Sequence, residues 1–536
     1  MREYGIKIAG VSALMFAVML LGGLWLYETR APQAVRKIQH EAAADADPGI
    51  GLTEIPEDHR VDESFTSHLP LLVIDTHGEE LIHYDKVYHA DTESFEYPEG
   101  VELIQPVTLS VIDNANYVNT LTDRPQAETE ASIKIRGNTS ASRQYQKKQF
   151  SLHLLDEKGD QRELPLLGME SNDSWILKGT PIDGSRLRDY LAMNMGGKLF
   201  PYTPEVRFCE VLIRQGDMIE YHGLYMLLER VERGEGRIDI ERYDPKDIYP
   251  PYILRRDRYD ADGIMLHTYG IEKGYYDTWL EIQYPSKKRI TQEHIDRITQ
   301  DINQVEYALY ADDYKTFRQY KNLLDVDSFV DYMVFNELFA CYDAGLHSTY
   351  LYKRPGGKIT MGALWDYDMA MDNYGDELLE IRKTAFNYQP WFDRLMQDKE
   401  FVEQLNYRYR ELRKTIFADE KLKSFIERAE WFLGNALLRE NSRWNAESFN
   451  PVKDLEDVES GVMIRRVRET PYQEICRMED VLILHAHHLD ETPWEVKDTG
   501  TVFQNGYGVQ KNLAAILSLV ALFVSVVLVQ RQRKGL

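Results

Sequence analysis

The sequence predicts an α+β protein with a β-rich N-terminal part and a mainly helical C-terminal part, flanked by transmembrane helices. Three observations predict it. Short alternating apolar runs broken by turn residues fill residues 69–155, helical periodicity dominates 290–340 and 397–490, and uncharged apolar stretches lie near both ends. A chain of 536 residues with 11% aromatic residues has the material for a large core.

In chain order, residues 8–27, "IAGVSALMFAVMLLGGLWLY", carry no charge and match one membrane-spanning helix, and 513–529, "LAAILSLVALFVSVVLV", are a second, shorter candidate. Arg2, Lys7, Arg531, Arg533 and Lys534 outnumber the basic residues on the inner flanks, which predicts cytoplasmic termini, an extracytoplasmic main domain and a cell-membrane location in contact with lipid. Residues 28–68, rich in Ala, Asp, Glu and Pro, read as a linker, and 491–512 as another.

The domain is expected over 69–490, its β-rich part to about 255 and its helical part from about 256. "LPLLVID", "VTLSVID", "ASIKIRG" and "QFSLHLL" predict antiparallel strands. Between the last two runs a loop gathers Arg136, Arg143, Lys147 and Lys148, either a solvated basic loop or a cradle for phosphate oxygens. A helix follows over 185–199, closed by Gly196 and Gly197. A hairpin about Gly216 then places Glu229 at the end of an apolar strand, where a carboxylate needs a partner or solvent. "DVDSFVDYMVFNELF" continues as a helix into Asp343, and "TYLYK" and "KITMGAL" form a hairpin about "RPGG". That hairpin returns Asp366 and Asp368 to the neighbourhood of Asp343.

Charge and cysteines narrow the function. With 63 basic against 88 acidic residues, a formal charge of -25 argues against a nucleic-acid partner that relies on counterion release. Cys209, Cys341 and Cys476 match neither a disulfide framework nor a zinc spacing, and His485, His487 and His488 in "HAHH" have poor metal-ligand spacing. Clustered carboxylates repel unless a cation lies between them, and oxygen ligands beside a polyphosphate suit Mg²⁺ or Mn²⁺. The order of loop Asp, strand, turn, strand, Asp is the order used for phosphoryl transfer. The same "WDYD" also reads as a turn with a capping Asp and Trp365 in the core. A glycosidase would instead need two acids flanking a sugar-sized cleft and would act without nucleotide.

"IKIRGNTS", "KKQFSLHL", "SWILKGTPIDGSRLRDYLAMNM", "GLYMLLERVER", "EIQYPS" and "DAGLHSTYLYKRPGGKITMGALWDYDMAMDN", in this order over about 69–450, resemble the CotH family of spore-coat-type atypical protein kinases. The resemblance implies a divergent protein-kinase-like fold, ATP with Mg²⁺ or Mn²⁺ as cofactors, and transfer of the γ-phosphate to protein Ser or Thr. It implies Asp343 as the catalytic-loop Asp, Asp366 as the metal-binding Asp and Asp368 as its assistant. Lys148 is similar to the phosphate-contacting lysine, with Lys147 as its substitute and Glu229 as the ion-pair partner, and Arg136 of the basic loop is a further candidate phosphate contact. Ser348 stands where kinases usually carry a metal-binding Asn. The acidic surface suits basic Ser/Thr-containing envelope or coat proteins as acceptors. The alternative is a non-catalytic assembly protein that keeps the fold as a docking surface.

Overall fold

The computed structural model describes residues 36–82, 87–89, 94–97, 100–136, 146–341, 343–373, 384–386, 390–448, 455–457, 462–464 and 470–497. Seven strands close into a barrel: β1 (Leu71–Asp75), β2 (Gln105–Ile112), β3 (Ala127–Arg136), β4 (Gln149–Leu155), β5 (Ser174–Lys178), β6 (Val206–Gln215) and β7 (Met218–Glu229). Around the barrel the order is β6-β7-β5-β4-β3-β2-β1. Each neighbouring pair is antiparallel except β1 and β6, whose parallel pairing from Leu71–Glu210 to Asp75–Arg214 completes the closure. Alternation explains the barrel: in β3 Thr129, Ala131, Ile133 and Ile135 are buried while Glu128, Glu130 and Lys134 face water. Leu109, Ile133, Phe150, Leu152, Trp175 and Leu177 fill the interior.

A second sheet joins β8 (Tyr252–Asp257), β9 (Trp279–Tyr284), β10 (Thr349–Lys353) and β11 (Thr360–Met361) in the order β9-β8-β10-β11. The expected hairpin is therefore present, with Gly356 at φ +69° in its turn and Leu351 opposite Met361. It belongs to a larger sheet because β8 supplies an antiparallel partner for β10 over five residue pairs. Helices α1 (Arg188–Gly196), α2 (Gln292–Leu309), α3 (Val326–Leu338), α4 (Lys399–Arg413), α5 (Asp419–Ser448) and α6 (Pro471–Glu491) share one large core with the outer face of the barrel. Each residue of α1 is buried, so its Arg188 is held by Asp183 and Glu474 at 2.5 and 2.7 Å.

Residues 36–68, expected as a linker, are built into the fold: Ile38, Ile55 and Phe65 are buried, and the Arg36 guanidinium donates to Asn194 and to the carbonyls of Thr203 and Pro204. The membrane placement is corrected. Among the described residues no helix is long and apolar enough to cross a membrane, and the segments 8–27 and 513–529 lie outside the described residues. An integral cell-membrane location is accordingly not supported.

Candidate functional site

The site forms where the outer face of the barrel meets the hairpin β10–β11. Along β5, Trp175 and Leu177 point into the barrel, whereas Ile176 packs with the helical core. The same alternation turns Lys178, last residue of β5, outward toward the hairpin. Its ammonium lies 2.7 Å from Asp189 on α1, 2.8 Å from Asp366 and 3.4 Å from Asp368. Asp189 also accepts the Tyr367 amide at 2.9 Å, so one carboxylate fixes both the lysine and the backbone between the other two acids. The Tyr367 hydroxyl donates to Asn336 at 2.6 Å, and Asn373 donates to the Asp368 carbonyl at 2.6 Å, which pins the C-terminal half of "WDYD".

The backbone on both sides of the crevice is constrained. Ser348, Ala363 and Asp366 have φ of +50°, +58° and +69°, a region that non-glycine residues rarely adopt. Such conformations cost about 1–3 kcal/mol each and persist where surrounding contacts over-determine them. Here the Ser348 hydroxyl donates to Asp366 across the crevice at 3.2 Å.

The three carboxylates are not equivalent. Asp189 and Asp368 are buried, whereas the Asp366 side chain is 44% exposed. Burial pushes each upward, but for Asp366 the Lys178 ammonium wins, with help from Ser348 and Arg136, and holds its carboxyl below the usual range. Asp368 is pushed well above that range by burial, with Asp366, Asp189 and Asp183 adding like charge against Lys178. Burial works against the Lys178 charge too, and the same three carboxylates outweigh it, so the lysine stays protonated. Fully ionised, three carboxylates around one ammonium leave a twofold negative excess, and protonation of Asp368 relieves part of it.

Asp343 stands beside this cluster, half-buried, in the loop that leads to β10. Burial raises its carboxyl above the usual range, opposed by His347 and reinforced by Asp366. Its carbonyl accepts the His347 amide at 2.8 Å, which closes the loop, and the His347 ring lies 3.7 Å from Asp257 at the end of β8. Arg136, last residue of β3, donates to Ser151 at 3.3 Å and lies 5.9 Å over the Trp365 ring, one residue from Asp366. Asp343, Asp366, Asp368 and Arg136 are thus brought together.

Other predicted site residues have different surroundings. Lys147 is fully buried, 2.6 Å from Glu440 of α5, and donates to the Leu224 carbonyl at 2.7 Å; its ammonium does not face the crevice. Lys148 is buried just before β4, its carbonyl accepting from Tyr225 at 2.7 Å. Glu229 was expected to pair with Lys148, but its carboxylate accepts the Glu205 amide at 2.9 Å. Register gives the reason: Met226 is opposite Lys178 and Glu229 opposite Trp175, so Glu229 lies three residues along β7, roughly 10 Å from the site end of β5. Arg143 lies outside the described residues.

Sequence reasoning missed Lys178, Asp189 and Glu440. A lysine that ends the apolar run "SWIL" was the available signal for the first, since a charge at the end of a buried strand needs a partner. Among the described residues no group of three or more His, Cys, Asp or Glu is arranged to hold a metal ion by itself. The donor set fits the other mode of Mg²⁺ binding, in which one or two carboxylates act together with substrate phosphates. Asp366 is the exposed carboxylate available for it, with the Ser348 hydroxyl adjacent. "HAHH" is structural: His485 is buried 2.9 Å from the Glu337 carbonyl, and His487 is 2.6 Å from Asp419. The three cysteines are free.

A family model described as CotH kinase protein matches residues 133–481. That span takes in β4 to β11, five of the six helices in full, the first half of α6, and the crevice from Arg136 to Asp368. A search of curated proteins gives no match.

Proposed function

This chain belongs to the CotH kinase family, and from that premise we propose that it transfers the γ-phosphate of ATP to a Ser or Thr hydroxyl of a protein. The observation that carries the reading is the single lysine held by three aspartates beside Asp343. Such a cluster has a net negative charge that a divalent cation neutralises, and a lysine that can exchange a carboxylate for a phosphate oxygen.

ATP with Mg²⁺ or Mn²⁺ supplies the phosphoryl group and the cation. Asp366 is the proposed metal ligand, because Lys178 keeps it ionised and its side chain is exposed. Asp368 is its proposed assistant, able to lose a proton when positive charge arrives. Arg136 and Lys178 are the proposed phosphate contacts. Asp343 orients the acceptor hydroxyl and takes its proton, and burial makes it a better base than an exposed aspartate. Catalysis then rests on positioning and charge neutralisation. A basic Ser/Thr-containing coat protein is the proposed acceptor, given the formal charge of -25.

Calorimetry with ATP tests the binding half of this reading. Titration with and without Mg²⁺ or Mn²⁺ is expected to show ATP binding that requires the metal and that Asp366→Asn weakens. Equal ATP affinity with and without metal, or no binding, would remove the basis for an enzyme and favour the docking-protein alternative.

A further inference from the structure

Away from the crevice, α5 breaks at Gly434, which has φ +42° and ψ −124°. The break has a cause in packing: a Cβ there would lie 2.4 Å from the Pro48 carbonyl oxygen. The N-terminal segment crosses the helix at this point, held by the Asn435 amide on Pro48 at 2.8 Å and the Asn435 side chain on Gly49 at 2.6 Å. The crossing leaves an open cavity of about 380 Å³, lined by Glu427, Glu430 and Trp431 one to two turns before the break and by Tyr472 at the start of α6.

The lining is unusual for a solvent-facing hollow. Trp431 is 55% exposed and Tyr472 38% exposed, although both are large enough to be drawn into a core. Glu427 and Glu430 have no ion-pair partner among the described residues, and Glu479 of α6 faces the same carboxylates, 3.9 Å from Lys423. Burial and the two neighbouring glutamates all push Glu430 upward. Aromatic faces beside uncompensated carboxylates attract one kind of guest: a cation whose charge is answered by the glutamates and whose flat or methylene surface stacks on the rings.

We propose that this cavity is a docking site for an arginine or lysine side chain on an extended segment of a protein partner. Cation–π contact with Trp431 and Tyr472 and charge pairing with Glu427 and Glu430 supply the recognition, independently of the phosphoryl-transfer crevice. Charge complementarity chooses this occupant, since an acidic or purely apolar segment would leave the glutamates facing like charge or no charge.

The test uses the full chain and a fluorescein-labelled Ser-Arg-Ser-Arg-Ser-Arg peptide in about 0.15 M salt, where diffuse surface attraction is screened. The arginine peptide is expected to bind and its citrulline counterpart, equal in shape but neutral, to bind at least roughly tenfold more weakly. Trp431→Ala and the double substitution Glu427→Gln/Glu430→Gln should each weaken binding by roughly tenfold or more, and Trp431→Phe by only a few-fold. Glu163→Gln, an exposed acid on the barrel side, should leave affinity unchanged. Matching thermal melts establish that the variants are folded. The proposal is overturned if the native chain does not bind the arginine peptide, or if the cavity variants bind like the native chain.

Discussion

Replacing Glu440 by Ala removes one carboxylate from a fully buried junction between α5 and the barrel. In the native chain that carboxylate lies 2.6 Å from Lys147 and 3.0 Å from Arg186, and it accepts the Leu224 amide of β7 at 2.8 Å. Neither Lys147 nor Glu440 exposes any side-chain surface. Burial already pulls Lys147 down to about 7 against the attraction of Glu440. Without the carboxylate, a lysine, an arginine and a strand amide lose their shared acceptor in a dry setting. Breaking a buried pair by removing one partner costs about 3–5 kcal/mol, which lowers the ratio of folded to unfolded chain by roughly a hundred- to several-thousand-fold. Urea unfolding followed by tryptophan fluorescence measures this as a lower midpoint at unchanged slope. Glu440→Leu combined with Lys147→Met should recover part of the loss, because the pair is then replaced by apolar groups rather than split. A midpoint for Glu440→Ala equivalent to a loss below about 1 kcal/mol would refute the view that this pair ties the helix to the barrel.

Four further outcomes follow from buried contacts at this junction and in the crevice. Gly223→Ala should cost about 1–3 kcal/mol in the same unfolding assay, since φ is +127° and the new Cβ would lie 2.7 Å from the Glu440 carboxylate and 2.8 Å from the Trp444 ring nitrogen. His40 and His222 are buried and pulled down to about 4 and about 3, chiefly by burial, so between those values and the ordinary 6.5 the unfolded chain binds more protons. These two histidines should therefore contribute stability that grows with pH across about 4 to 6.5, by at most about 1.4 kcal/mol per pH unit each, and His222→Phe should lower the slope of pH-dependent melts relative to the native chain. Lys178→Met leaves Asp189, Asp366 and Asp368 without their shared cation and should abolish phosphoryl transfer while lowering the melting temperature. Asp366→Asn, at an exposed position, should abolish transfer with little change in melting.

Much of this architecture is legible in the sequence wherever a local pattern encodes it. A continuous apolar run marks β1 and alternation marks β2 to β4, the Gly216 turn marks the β6–β7 hairpin, and the β10–β11 hairpin brings Asp366 back to Asp343 through local pairs such as Leu351 with Met361. What stayed hidden depends on pairings that no local spacing records. The parallel contact of β1 with β6 closes the barrel across more than a hundred residues, and Lys147 meets Glu440 from a helix 293 residues away. The expected pairing of Lys148 with Glu229 failed because β5 inserts between β4 and β7 in a register that carries Glu229 toward Trp175. The role of Lys178 is not recorded in its local sequence, since its partners come from α1 and from beyond β11. The terminal apolar segments matched a membrane span on hydropathy alone, and no described helix adds support for that placement.

The most direct test of the central claim is transfer of labelled phosphate from ATP by the full chain to a basic Ser-rich protein in Mg²⁺ or Mn²⁺, compared with Asp343→Ala and Asp366→Ala. The account predicts metal-dependent incorporation into Ser or Thr that both substitutions abolish while the folded state persists. Incorporation that survives Asp366→Ala, or no incorporation by a folded chain that binds ATP and metal, would contradict it.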